Sequence, residues 1–174
     1  RDRPLGSGVL FNANLKGWVS EEALGDCIRQ LIELNKTSAE ILKKYEVHAA
    51  TDITGFGLTG HGLEVAQGSG VSLEIKFESL SVFQEALEMY EKGMTTGVNA
   101  SNRSLVEDHI EMPGSLSVSE KEILFDPQTS GGLLVSVPEN QSKEIIDKLQ
   151  QSGVSQARII GAVQTLGETH LKIL

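Results

Sequence analysis

The chain has 174 residues, 39% of them hydrophobic, a formal net charge of −9 and an isoelectric point near 4.9. That length fits one domain and leaves no room for two full ones, and the apolar content excludes a disordered chain. The acidic balance excludes nucleic-acid binding through a basic footprint, and no apolar run approaches the ~20 residues of a membrane-spanning helix.

The opening Arg1-Asp2-Arg3-Pro4 has no Met and no basic-then-apolar leader pattern, which argues against a signal peptide and predicts a piece cut from a longer chain. Pro4-Leu5-Gly6-Ser7-Gly8 is a turn-rich approach to the short apolar run Val9-Leu10-Phe11. Residues 20–35 read as a helix, with Glu21 and Glu22 in the first turn and Leu24, Ile28, Leu31 and Ile32 at helical spacing. Cys27, the single cysteine, lies among those apolar positions and reads as a small buried hydrophobe. Alone it cannot form an internal disulfide, which predicts a reducing, cytoplasmic setting. A second helix is predicted from the capping-box match Thr37-Ser38-Ala39-Glu40.

Residues 47–54 read as extended and run into a glycine-rich turn and a helix that Gly68-Ser69-Gly70 stops. Val71 to Phe77 alternates as a half-buried strand, and 81–92 reads as an amphipathic helix. Residues 93–118, with Gly93, Gly97, Pro113 and Gly114, read as a long functional or mobile loop. A short helix is predicted at Ser119-Glu120-Lys121-Glu122, a strand at 133–137 and a helix at 139–151 ended by Gly153. Closing strands are predicted at 157–163 and 170–174. The mixture favours an α+β or layered α/β domain.

Two constellations could carry chemistry. In Thr51-Asp52-Ile53-Thr54-Gly55-Phe56-Gly57 a carboxylate ends an extended segment just before a glycine turn into a helix. Magnesium is commonly held by one or two carboxylates plus phosphates, and glycines let backbone amides approach an anion. The competing reading is that Asp52 caps a turn and the glycines only supply positive φ. In Asp126-Pro127-Gln128-Thr129-Ser130-Gly131-Gly132 the small residues before a strand form either an anion-binding nest or a plain tight turn. His61 reads as a structurally satisfied histidine, and Asn102-Arg103 as a surface arginine that could instead meet a phosphate. His48, His109 and His170 have no shared metal-ligand spacing, and P-loop and serine-nucleophile motifs are absent.

The stretch Thr51-Asp52-Ile53-Thr54-Gly55-Phe56-Gly57-Leu58-Thr59-Gly60-His61 resembles the signature of the selenophosphate synthetase (selenide, water dikinase) family. The resemblance recurs at Asp126 to Leu134, at Pro4 to Leu10, which is similar to the family's interdomain junction, and at Ile159-Ile160-Gly161-Ala162-Val163. It implies an α+β domain, a mixed β-sheet covered by helices in α/β/α layers, like the carboxy-terminal domain of aminoimidazole ribonucleotide synthetase and partly ferredoxin-like. Residues 1–174 would be the carboxy-terminal domain of a two-domain enzyme, with 1–10 as the interdomain junction. The family converts ATP, selenide and water into selenophosphate, AMP and phosphate, using Mg2+ between its domains. Its reactive cysteine or selenocysteine belongs to the amino-terminal domain, so Cys27 does not match it and no catalytic residue is expected here. Asp52 matches the magnesium-binding aspartate; Thr54, Gly55, Gly57, Thr129, Ser130 and Gly131 would line the cleft or meet phosphate. ATP would be bound mainly by the amino-terminal domain. The parent is expected to be a homodimer, and this piece an inactive monomer or weak dimer, with no nucleic-acid or membrane partner. The alternatives are a domain of another ATP-dependent enzyme of the superfamily, or a non-catalytic binding or assembly module of this fold.

Overall fold

The computed structural model describes residues 2–174, and its elements follow from local signals that tertiary contacts overrule in four places. The helix predicted at 20–35 is α2, Glu21–Ile32, after a first helix α1, Ser7–Asn14. Ser20 caps α2 by accepting from the Ala23 amide, and Glu21 and Glu22 complement the helix dipole. Helix α3 spans Lys36–Leu42, strand β1 Ala49–Asp52, α4 Gly57–Ser69 and β2 Val71–Ile75. Then come α5 at Ala86–Glu91, α6 at Asn99–Val106, β3 at Ile110–Glu111 and α7 at Val118–Ile123. Strand β4 spans Leu133–Ser136, α8 Glu139–Gln151, β5 Gly161–Thr165 and β6 Leu171–Ile173.

The first departure is α1. Its sequence is short and glycine-bearing, and the cap comes from Asp126, 118 residues further on, which accepts from the Gly8 and Val9 amides. Second, the Thr37 capping box is unused. α3 starts one residue earlier, behind Asn35, and Ser38 donates instead to buried Asp2 at 2.6 Å. Third, the helix expected from 81 begins only at Ala86. Residues 81–83 are drawn into pairing with Leu5: the Leu5 amide donates to Ser81 O and the Phe83 amide to Leu5 O. Fourth, the stretch 93–118 is not one loop, because it holds α6, a 3₁₀ turn at Glu107–His109 and β3. Asn99 and Asn102, poor helix formers, are buried on α6 and held by long-range hydrogen bonds that a local pattern cannot reveal.

Helix α7 shows how close a local reading can come. The capping box exists, but on Ser117 and Glu120 rather than two residues later, since Ser119 is buried. Ser117→Ala should cost about 1 kcal/mol and lower the thermal midpoint by roughly 2–4 °C in calorimetry. A midpoint unchanged within error would mean the box contributes nothing.

The α+β assignment holds, with the strands divided between two sheets. Strands β1 and β4 pair antiparallel, Asp52 opposite Leu133. The other sheet runs β3-β6-β2-β5; β2 is antiparallel to β5 and parallel to β6. The main core joins Leu5, Val9, Leu10, Cys27, Ile53, Leu58, Met89, Ile123 and Leu124 from α1, α2, α4, α5, α7 and the turn after β1. Each such fully buried side chain contributes about 1.5–3 kcal/mol. A second cluster packs α4 on β2 and β6 through Leu63, Leu73 and Leu171. A third packs α3 on α8 through Ile41, Leu42, Ile145 and Leu149. An open groove of about 990 Å³ lies between β4 and α8 on one side and β2 and β5 on the other. No helix among the described residues is long and apolar enough to cross a membrane.

Candidate functional site

The residues singled out in sequence meet on one ledge, built where three separate segments run together. Beyond Asp52, the Ile53 amide donates to Gly132 O at 2.9 Å and the Gln128 amide to Thr54 O at 2.9 Å. The two glycine motifs are thus laced side by side from Thr51 to Thr54. The opening segment lies against the second. Asp2 accepts from the Leu133 amide at 2.7 Å, the Arg3 guanidinium donates to Ser130 O and Glu33 O, and Ser7 Oγ accepts from the Thr129 amide at 3.1 Å.

Two glycines make this lacing possible. A Cβ at Gly131 would stand 1.6 Å from Ile53 O, so the strands can approach only without a side chain there. Gly57 has φ +70 and its missing Cβ would stand 2.9 Å from Asp126 O. Its amide donates to Thr54 O, so Gly57 closes the turn rather than offering an amide to an anion. Gly55, by contrast, is exposed, and the Gly55 and Phe56 amides have no partner among the described residues.

Asp52 stands at the end of β1 with an exposed side chain that makes no hydrogen bond or ion pair with any described residue. It therefore does not cap the turn. Thr54 Oγ1 lies 3.1 Å from His61 Nε2, and His61 Nδ1 lies 2.9 Å from Glu64, so this histidine is satisfied structurally. Thr129 and Ser130 are exposed, and Ser130 has φ +45. Arg103 is paired with Glu122 and lies over the Phe125 ring, so it does not project toward the ledge as a free cation. Cys27 is buried, and desolvation, with the nearby charge of Asp126 second, pushes its thiol up to about 11. A thiol so held is no nucleophile at neutral pH.

Asp126 turns out to be a structural hub rather than part of an open nest. It is fully buried, and its oxygens accept from the Gly8 and Val9 amides, Tyr90 Oη at 2.6 Å and Gln128 Nε2 at 2.8 Å. Burial raises its carboxyl to about 6, and the four donors act against that rise. Sequence reasoning also missed Asp2, Arg3, Ser7 and Asn102. The last is buried and donates to Gly55 O and Phe125 O, both at 2.9 Å. The only signal for them was a cluster of polar residues in segments read as turn or loop.

A family described as AIR synthase related protein, C-terminal domain, matches residues 4–173. The chain belongs to that family. It is 39% identical over 172 residues to the selenide, water dikinase of Clostridioides difficile, covering 99% of this chain and 49% of the relative. It is 35% identical to the selenide, water dikinase of Treponema denticola, covering 98% of this chain and 49% of that protein. The chain thus spans about half the length of the curated relatives it matches. Among solved structures it superposes on thiamine monophosphate kinase from Aquifex aeolicus with a TM-score of 0.61 at 23% identity, covering 98% of this chain and 47% of that one. For E. coli HypE the TM-score is 0.60 at 16% identity, covering 99% and 44%. Those two likenesses concern the fold.

The described donor set could contribute one ligand to a metal ion and does not by itself make a metal site. Asp52 offers one hard oxygen ligand, and no group of three or more His, Cys, Asp or Glu side chains among the described residues could hold an ion. Magnesium characteristically keeps waters and takes one or two carboxylates plus phosphate oxygens, so a single exposed aspartate is compatible with it.

Proposed function

We propose that this domain is the carboxy-terminal half of an enzyme that makes selenophosphate, AMP and phosphate from ATP, selenide and water. The observation that carries the reading is the exposed, unpartnered Asp52 carboxylate beside a turn whose Gly55 and Phe56 amides are unclaimed. The 34–39% identity to selenide, water dikinases along almost the whole chain supports the choice of reaction. In this reading Asp52 would hold Mg2+ together with ligands and ATP from an amino-terminal half. Bound there, the ion would neutralise and orient phosphate oxygens during transfer.

The chain's own residues do the rest. Thr54 and Gly55 hold the turn next to Asp52, Gly57 and Gly131 let the two motifs approach, and Thr129 and Ser130 form the opposite lip of the cleft wall. Arg3 and Arg103 are both engaged internally, which agrees with charge neutralisation by metal. With no reactive thiol of its own, the domain is inactive alone. The parent works in the cytoplasm as a homodimer joined through its amino-terminal halves, with this half contributing little to association.

Phosphorus NMR of the full-length protein with ATP and magnesium tests the reading. AMP, phosphate and a selenophosphate signal should appear only when selenide is added. ATP consumption indifferent to selenide, or ADP as the product, would sink it.

A further inference from the structure

We infer that Asn102 is a positioning residue that sets the direction of the Gly55–Phe56 peptide, turning the Phe56 N–H outward as a donor for a phosphate oxygen. The inference rests on the proposed reading of the Asp52 ledge and adds a specific anion contact to it. Asn102 is 4% exposed on α6. Its side-chain amide gives both hydrogens away, one to Gly55 O and one to Phe125 O, each at 2.9 Å. One planar group therefore pins the turn after Asp52 to the turn that leads from α7 into the second motif.

The consequence lies in peptide geometry. No described peptide bond is cis, and in a trans peptide the C=O and the following N–H point in opposite directions. Drawing Gly55 O inward onto Asn102 drives the Phe56 N–H the other way. That N–H has no partner among the described residues, and Phe56 is 48% exposed. Among the described side chains, only Asn102 holds the carbonyl of this peptide. Gly55 has no described hydrogen bond besides the one from Asn102, and open space surrounds the position of its missing Cβ. With glycine on its amino side, the peptide gains freedom within its turn once the Asn102 bond is removed. The Gln128 and Gly57 amides hold Thr54 O; the Gly57 bond closes the 54–57 turn around this peptide, and the Asn102 bond holds its carbonyl inward within that turn.

The chemistry recognised is a metal-bound polyphosphate: Asp52 takes the cation, and the Phe56 N–H, four residues on, takes an oxygen of the anion. Loss of a group that orients such a shell typically weakens binding by roughly 10–100-fold. The test is calorimetric titration of the full-length protein with a non-hydrolysable ATP analogue in magnesium. Asn102→Ala, Asn102→Ser, Asp52→Asn and Ile145→Val are compared with the parent. Ile145 lies in the separate α3–α8 cluster and reports what mild destabilisation alone does.

The expected result is binding weaker by about 10-fold or more in Asn102→Ala. Asn102→Ser, which keeps one donor, should fall between it and the parent, and Ile145→Val should bind as the parent does. Asn102→Ser also serves if the alanine variant does not fold. Parent-like binding in both Asn102 variants with weakened binding in Asp52→Asn would overturn the positioning role and leave the ledge intact. Parent-like binding in all variants would overturn both. Equal weakening in Asn102→Ala and Ile145→Val would reduce Asn102 to a structural residue.

Discussion

Asp52→Asn in the full-length enzyme is expected to lower selenide-dependent ATP consumption by about 100-fold or more, with the fold unchanged. The substitution keeps the size of the side chain and removes its charge. Because Asp52 is exposed and touches no described residue through its carboxylate, stability should stay within about 0.5 kcal/mol. The lost activity should be partly recovered at high magnesium, since a neutral amide oxygen is a poorer ligand for a hard cation. Initial rates over a magnesium series, with melting curves alongside, read both quantities. A variant with the parent's rate and magnesium dependence would remove Asp52 from the site. A variant that lost stability as well would show an unrecognised structural bond.

Asp126→Ala is expected to be the most damaging single change to the fold, at about 3–5 kcal/mol. The alanine leaves the Gly8 and Val9 amides, the Tyr90 hydroxyl and the Gln128 amide without their acceptor, all inside the core. Asp126→Asn is the subtler test. However its amide is turned, the new NH2 faces either the Gly8 or the Val9 amide, a conflict worth about 1–3 kcal/mol.

Its effect should also depend on pH, with a definite sign. Folding raises the Asp126 carboxyl from 3.8 to about 6, chiefly by burial. The folded chain therefore binds this proton more tightly than the unfolded chain. The resulting stabilisation is present in full below about pH 4 and is lost as pH rises through 6. Asp126→Asn lacks that titration, so its penalty relative to the parent should shrink by up to roughly 3 kcal/mol between pH 4 and pH 7. Urea midpoints at the two pH values measure it. A penalty that grew with pH would mean that the four donors, rather than burial, govern the carboxyl.

The strongest local signals survived into the structure with little change. α8 covers the predicted 139–151, β4 lies within the predicted 133–137, and α4 ends where Gly70 takes up a left-handed φ of +64. Capping and periodicity act within a few residues, so they are legible in a single chain. α6 was not legible for the same reason. Its two buried asparagines are satisfied by groups 23 and 47 residues away, and without those partners the segment reads as a loop.

The sequence by itself determined that an aspartate precedes a glycine turn, that a second glycine motif leads into a strand, and that both resemble one family. It also determined an acidic domain with no basic platform and no helix-length apolar span. Only the tertiary structure decided how the aspartate of each motif is placed. Asp52 ends a half-exposed strand and stays unpartnered, whereas Asp126 is enclosed by four donors from α1, α5 and its own turn. The physical reason is that a carboxylate's role depends on where its hydrogen-bond partners come from. Those of Asp126 lie as far as 118 residues away, beyond the reach of any local pattern.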